Sequence, residues 1–592
     1  MYLYNKLIKF LKMKNVKIFL ISITTLLFIN SCSEDFLEYV PTGVLSESNV
    51  ATAENAEALV IAAYAGVMND DMRGTVTSQW VYGSVRSDDA YKGGGGVGDV
   101  IFAHEFEVYY LTTPEYGADF FMPKTWKNYY NAISRINVAL NVINDIPDYP
   151  GKNIRQGELR FLRAHCHFML KILFKKIPYI TEDLDAEAKL QVTNDIPNDD
   201  LWEKIADDFL FAYNNLPVTQ NEVGRANKSS AAAYLAKLRL FQAYVQNDSH
   251  QVTSISSDKL QEVIKYADEV VGDLETDFGK NFMDGYENGP ESIWAAQFSI
   301  NDGTNVGRLS YATGLNSPHG NPLYGCCGFH LASQNMANAF RTDENGLPFL
   351  DTFNDVSIFT EDAGDGTTPP APGLTVDPRI DHTMAIPGRP FKYRNTVNNP
   401  GDMIANISWA RVPGVYGYMY NMKEQQAPDC SCYYKNGPFM GTSRNIEFIR
   451  YADVLLMKAE ALIQLDRKDE ALPIINRVRT RAKNSTSWPS MAGATDIWSI
   501  GTYPSFPTKE YAWKALKFER RLEFAMEGHR FYDLVRWGEA AETLNKYLEV
   551  EKVRRPFLGA AVFTPGRDEY YPIPQKEIDF TGGSLYKQNP GY

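Results

Sequence analysis

Apolar residues recur at helical spacing towards both ends of this chain and lose that spacing in the middle. Between Ile446 and Leu465 they fall at 448/449, 452, 455/456, 459 and 462/463, the i, i+3, i+4, i+7 rhythm of a helix with one buried face. The next segment repeats the rhythm at 471/472, 475, 478 and 482. A charged turn, Asp466-Arg467-Lys468-Asp469, joins the two, so they are expected to pack antiparallel. Alanines at 452, 459, 461, 471 and 482 allow close approach. Similar helices are expected at 52–69, 122–145, 154–175, 199–215, 228–247, 258–272 and 508–527, the last with Thr508 as its N-cap. This is the grammar of tetratricopeptide-type hairpins, without a fixed repeat length.

From about 276 to 445 Gly, Pro, Asn and Asp cluster instead, as in Asn301-Asp-Gly303, Asn316 to Pro322 and Asp362 to Pro372. Helical spacing returns only near Gln334 to Phe340, and Glu291 to Ser299 reads as a short strand. Long loop-rich excursions in a helical chain are usually functional segments or lids. A smaller excursion runs from Asp88 to Gly98. Its consecutive glycines, Gly93 to Gly96, have no Lys-Ser/Thr after them and no strand before them, so a phosphate-binding loop is not read there. The expected fold is mainly α: a tetratricopeptide-like α-α superhelix with one long irregular insertion and few short strands.

Charge is threaded through apolar positions in Glu519 to Gly538, ERRLEFAMEGHRFYDLVRWG. Buried charges must pair, because an unpaired one costs several kcal/mol. Arg530 and Asp533 stand one helical turn apart, the spacing at which side chains meet. Gly528 is read as a helix stop before a second short helix. Glu519, Glu523, His529 and Asp533 admit a catalytic reading, but an ion-pair lattice locking two helices together explains the same residues more simply.

The stretch resembles the signature of the SusD/RagB family of outer-membrane nutrient-binding lipoproteins, and the likeness extends along the chain. Arg450 to Glu460 (RYADVLLMKAE), Ile475 to Ala482 (INRVRTRA), Tyr571 to Gln575 (YPIPQ) and Asn589 to Tyr592 (NPGY) are similar to the family's later segments. Ser87 to Gly94 (SDDAYKGG), Thr125-Trp126 and Arg160 to Ala164 (RFLRA) are similar to its N-terminal half. The resemblance implies a region 32–275, then a region 276–592 that holds the insertion 276–445 and helices over 446–545.

The N-terminus adds a location. Residues 1–31 carry five lysines and no acid, and an apolar run from Ile18 to Ile29 leads to Asn30-Ser31-Cys32. As a helix that run rises only about 18 Å, short of the ~30 Å hydrocarbon core, so it reads as a signal peptide and not a span. A cysteine directly after it marks a lipoprotein signal, with Cys32 as the lipidated residue. Met13 would start a tidier signal. The acidic Ser33-Glu34-Asp35 resembles the family's surface-export signal, which places the lipid-anchored body on the extracellular side of the outer membrane.

Acidic residues outnumber basic ones, 73 to 59, and loss of residues 1–31 moves the net charge from −14 to −19. That argues against nucleic acid, which demands a basic footprint. Beyond Cys32 there remain Cys166, Cys326, Cys327, Cys430 and Cys432. Their spacing does not match a zinc site, and His165 and His167 flank Cys166 at helix positions that face apart, so no metal is assigned. An exported context allows a disulfide between the 326–327 and 430–432 loops, with one thiol over, and the pairing stays open. No Asp-x-Asp-x-Asp-Gly calcium loop is present and no cofactor is required.

Tyrosine is abundant, 35 residues against 9 tryptophans, and offers a flat apolar face with a wettable hydroxyl. Sugar rings suit such platforms when polar groups flank them. Loop candidates for ligand contact are Asp89, Tyr91, Lys92, Tyr109, Tyr110 and Tyr116 in the N-terminal excursion. Tyr286, Tyr311, His319, Asn321, Tyr324 and Phe329 are those of the insertion. Trp126, Trp202, Trp513 and Trp537 are assigned to packing, and Trp80 is ambiguous. The resemblance implies that these two excursions bind an oligosaccharide and that a SusC-like TonB-dependent transporter receives it, with this chain as a lid over the channel and no catalysis. The same lid carrying peptides, and a surface glycoside hydrolase, are the alternatives weighed.

Overall fold

The helical rhythm is realised where it is strongest. A computed structural model describes residues 52–69, 71–115, 120–304, 307–358, 373–392, 403–427, 429–485 and 497–592. Its principal helices are α1 (Ala53–Val67), α2 (Ile101–Val108), α3 (Phe121–Asp145), α4 (Lys152–Phe174), α5 (Asn198–Asn215), α6 (Lys228–Ala243), α7 (Ser257–Asp268), α8 (Gln334–Ala339), α9 (Tyr451–Gln464), α10 (Lys468–Lys483), α11 (Lys509–Phe524), α12 (Arg530–Trp537) and α13 (Ala540–Arg554). Helices α3 to α7 each pack on the next, α7 hands the stack to α9, and α9 lies against α10 and α11. That succession is the α-α superhelix the spacing predicts. The signal segment, Cys32 and Tyr116 lie outside the described residues. Among the described residues no helix is long and apolar enough to cross a membrane.

Local chemistry sets the boundaries. Thr508 caps α11, its hydroxyl accepting from the Tyr511 N–H at 3.2 Å. Asn227 and Ser230 form a reciprocal capping box at the start of α6. The apolar stripes of α9, α10 and α11 meet in one core, with Leu455, Leu456, Leu462, Ile475, Val478 and Leu516 buried together.

The insertion supplies the short strands β2 (Ser292–Ala296), β3 (Phe329–Ala332), β4 (Met384–Ala385) and β5 (Tyr420–Asn421), β6 (Ile446–Arg450) follows directly after it, and the N-terminal excursion supplies β1 (Ala90–Gly93). Strands β1, β3, β5 and β4 make one antiparallel sheet in that order, and β2 pairs separately with β6. Residues 446–450 are thus extended, not helical. Their partner is Ser292–Ala296, far away in sequence, and α9 begins only at Tyr451. In the same way α6 stops at Ala243, because Tyr244–Gln246 pairs with Val252–Ile255.

The charged stretch is a lattice. Glu523 on α11 takes Arg379 at 2.9 Å, Arg450 at 2.6 Å and Arg481, and neighbouring Glu519 takes Arg379 at 2.7 Å and Arg479 at 2.8 Å. Arg379 is 0% exposed and also meets Asp377 at 2.7 Å. Arg520 bridges Asp453 and Asp533, both at 2.9 Å. Arg530 does not meet Asp533; it reaches across to Asp88 at 2.8 Å, while Asp533 is held by Arg520 and Arg536. Arg521 completes the crossing with Asp88 at 3.0 Å and Asp89 at 3.2 Å.

Gly528 is not the helix stop. Helix α11 ends at Phe524, and Gly528 sits at φ +83° where a second chain segment crosses it. A Cβ on Gly83 would lie 1.8 Å from the Gly528 carbonyl oxygen, so neither position admits a side chain without moving backbone.

Burial alone would raise the Asp88 carboxyl, but Arg521 and Arg530 outweigh it and hold it down at about 2. The folded pKa therefore lies below the ordinary ~3.9, so the pair's stabilisation is complete above that value and is lost as pH falls through about 2. Asp88→Asn should cost roughly 3 kcal/mol at neutral pH. Its Tm deficit against the parent should shrink as pH falls from about 4 towards 2 in scanning calorimetry.

Candidate functional site

The two excursions meet at the β1–β3 seam. Tyr91 pairs with Leu331 and Gly93 with Phe329, after which the glycines continue over the insertion, the Gly94 N–H donating to the Gly328 carbonyl at 2.7 Å. A Cβ on Gly94 would lie 2.5 Å from the Phe329 ring, and one on Gly95 2.9 Å from the Arg411 guanidinium. The run of glycines is thus a close-approach device, since side chains there would lift the loop from the insertion.

Arg411 is the polar centre of this rim. Its Nη1 donates to Asp99 Oδ2 at 2.7 Å and to the Cys327 carbonyl at 3.1 Å, and Asp99 Oδ2 also accepts from the Gly95 N–H at 2.8 Å. His319 is exposed close by; partial burial and the Arg411 charge lower its imidazole pKa. Exposed Leu323 and Val97 and the partly exposed Cys326 and Cys327 complete the rim. Beneath it lies an aromatic cluster that includes Tyr91, Tyr324, Phe391, Trp409, Tyr416 and Tyr420.

That cluster takes up Tyr91 and Tyr324, and other buried contacts take up most of the remaining candidates. Tyr91 is buried, its hydroxyl donating to Glu551 at 2.7 Å, and Tyr324 is buried with its hydroxyl on the Gln426 carbonyl at 2.7 Å. Tyr109 donates from inside the core to the Arg86 carbonyl at 2.8 Å, Asp89 is held by Arg521, and Phe329 is fully enclosed. Asn321 is buried, accepting from the Leu323 N–H at 3.0 Å. Lys92 is buried below the glycine loop and pins it, donating to the carbonyls of Gly96 at 2.8 Å and Asp99 at 2.5 Å. In this conformation those seven side chains are buried and offer no surface to a ligand. Tyr110, 46% exposed, Tyr286, Tyr311 and His319 keep accessible faces, and of these His319 stands at the rim. Arg411 and Asp99 escape sequence reasoning, because their contact joins positions 312 apart.

Trp80, Trp126, Trp202 and Trp537 are buried, as packing requires, and Trp513 is partly so. Of the four catalytic candidates, Glu519, Glu523 and Asp533 are enclosed in the lattice, and half-buried His529 stacks on the Phe524 ring at 4.6 Å. His165 and His167 are buried neutral, their pKa values pushed down to about 3 by burial, and they bond separately to the Tyr234 hydroxyl and the Arg163 carbonyl. The disulfides differ from the bridge weighed between loops: Cys326 joins Cys327 and Cys430 joins Cys432, leaving Cys166 as the buried free thiol. The hairpin 433–442 meets the first motif by its turn, the Cys326 N–H donating to the Pro438 carbonyl at 2.7 Å, while Cys430 and Cys432 stand at its base.

Comparison with known proteins places this geometry among relatives. The sequence profile described as the SusD family matches residues 290–592, and one described as starch-binding associating with outer membrane matches residues 98–240. SusD-like protein P2 of Formosa agariphila is 25% identical over 584 residues, covering 96% of this chain and 98% of that protein. SusD-like protein P38 of the same organism is 24% identical over 556 residues, covering 90% and 93%. Among solved structures, a laminarin binding SusD-like protein superposes with a TM-score of 0.63 at 23% identity, over 91% of this chain and 99% of that one. Surface glycan-binding protein A from Bacteroides fluxus gives 0.63 at 20% identity, over 91% and 100%.

Peptide mapping of unreduced protein should find each disulfide inside a single peptide, with no peptide linking the 326–327 and 430–432 segments. Cys166 should take up an alkylating reagent only after denaturation.

Proposed function

The chain belongs to the SusD family, and from that premise we propose that it is a lipid-anchored protein of the outer-membrane surface that binds an oligosaccharide at the Arg411 rim and passes it, unaltered, to a SusC-like TonB-dependent transporter. The observation that carries the reading is the convergence of both loop excursions on one exposed, glycine-floored rim with a guanidinium at its centre. A planar guanidinium with N–H groups to spare suits vicinal sugar hydroxyls, and Leu323 with the adjoining sulfurs suits the C–H face of a ring. Relatives whose titles name laminarin and surface glycans support a glycan as cargo. Cys32, after a signal-like apolar run, is the proposed anchor. The regions 32–275 and 276–592 are proposed to act together, since each contributes one excursion to the rim.

A peptide cargo is favoured less. Strand addition needs free backbone groups at a sheet edge, and on the outer strand β1 the Lys92 N–H already donates to Glu107 at 2.8 Å. A hydrolase needs two carboxylates ~5–9.5 Å apart across the scissile bond. Asp99, the carboxylate at the rim, is committed to Arg411 and the Gly95 N–H.

Two outcomes test this reading. In calorimetry against a glycan panel that includes laminarin, the parent should bind at least one polymer without releasing reducing ends. Arg411→Ala should weaken that binding by roughly 1.5–3 kcal/mol, the worth of charged hydrogen bonds, with little change in Tm. Cleavage products, or unchanged affinity in the variant, would refute it. In cells, labelled palmitate should enter the parent and not Cys32→Ser, and the variant should be lost from the outer membrane.

A further inference from the structure

A second enclosure lies away from the rim, between helices α4 and α6 and the turn that follows α11. Its volume is about 160 Å³, close to the ~150 Å³ at which an engineered protein cavity takes up a single benzene ring. Met169 on α4, Phe241 on α6, Met457 on α9, Met526 and Phe448 give it apolar walls. A smaller depression of about 20 Å³ beside half-exposed Tyr286 shares Asn281, Arg444, Asn445 and Glu447 with it, which marks the way in from the surface.

The polar groups on its walls divide into those already used and those left over. Lys423 and Arg450 pair with Glu527, Arg520 and Arg536 with Asp533, and Lys237 with Asp453. Arg444 spends its N–H groups on the carbonyls of Phe282, Lys423 and Gln425. An ionic ligand would therefore meet walls whose charges are already engaged. Left over are the indole N–H of Trp80, which is 1% exposed and has no acceptor, and the Gln79 amide nitrogen, which has none either. Trp80 and Gln79 both line the enclosure. Glu447 faces it with the Ser292 hydroxyl donating to one oxygen at 2.9 Å. Burial, with Glu291 and Glu527 nearby, raises the Glu447 carboxyl to about 7, so near neutrality it both donates and accepts.

We propose that this enclosure is a second binding site, distinct from the Arg411 rim, for one small neutral polyhydroxylated ring: a monosaccharide, held by Gln79, Trp80 and Glu447 against the methionine and phenylalanine walls. Unpaired donors without a free opposite charge select hydroxyl oxygens over phosphates or amines. The volume matches a single ring. A buried indole N–H without an acceptor is destabilising, and a sugar oxygen there would satisfy it.

The test uses the full-length chain carrying Arg411→Ala, so that rim binding is disabled and its failure or success is scored separately. Glucose, galactose, mannose and xylose are each titrated by calorimetry and by saturation-transfer NMR. At least one should bind with one-to-one stoichiometry. Met169→Trp, whose larger ring intrudes into the enclosure, should weaken that binding at least about tenfold, and Glu447→Gln, which keeps the volume, should weaken it measurably; thermal melts confirm that both fold. Binding that survives both substitutions, no sugar bound at millimolar concentration, or uptake of toluene in preference to every sugar would each overturn the proposal.

Discussion

Removing charge from water is tolerable only when every charge finds its opposite, and this chain stakes its architecture on meeting that demand. Glu523 illustrates it: one carboxylate answers Arg379 of the insertion, Arg450 at the end of β6 and Arg481 of α10. Replacing such a lattice with apolar side chains would often stabilise a fold as well or better, since ion pairs recover little beyond their own desolvation. What it supplies here is uniqueness of arrangement. Few alternative packings of the insertion on α11 would satisfy Arg379, Asp377, Glu519 and Glu523 at once, so the lattice fixes where the irregular segments stand.

The rim follows from that placement. Arg521 and Arg530 grip Asp88 and Asp89 just before β1, and β1 in turn aligns β3 and delivers the glycine loop onto Arg411. An irregular surface is thus held by regular elements beneath it, first the short sheet with its aromatic cluster, then the charged helices. The Gly83–Gly528 contact adds a steric lock between the same two parts of the chain, with backbone against backbone and no room for a side chain.

How much of this the sequence discloses depends on how local each feature is. Helices α3 to α7 and α9 to α11 declare themselves because their apolar spacing repeats within a few residues. Strand β6 does not, since Ile446, Ile449 and Ala452 also fit a helical spacing and the deciding partner is Ser292–Ala296. The need for charge pairing in 519–538 is legible, yet the identity of the partners is not: Arg530 sits a turn from Asp533 and chooses Asp88, 442 residues away. Loop tyrosines suggest ligand platforms from composition alone. Tyr91 and Tyr324 instead fill the core beneath the site, because the excursions fold into a sheet that needs a core of its own, and Tyr109 is buried against Phe563 and Arg86. The location of the site is therefore visible in outline, while its chemistry, Arg411 with Asp99, emerges only from contacts made across the whole chain.

The crossing at Gly528 carries a kinetic corollary. Acidic groups near residue 88 acquire their counter-ions from positions beyond 520, so the N-terminal excursion finds its native pairing only when the last helices are present, and distant contacts of this sort form slowly. The stacked helices of the first half are built from neighbours in sequence, whereas the excursion they carry waits for partners from the far end of the chain.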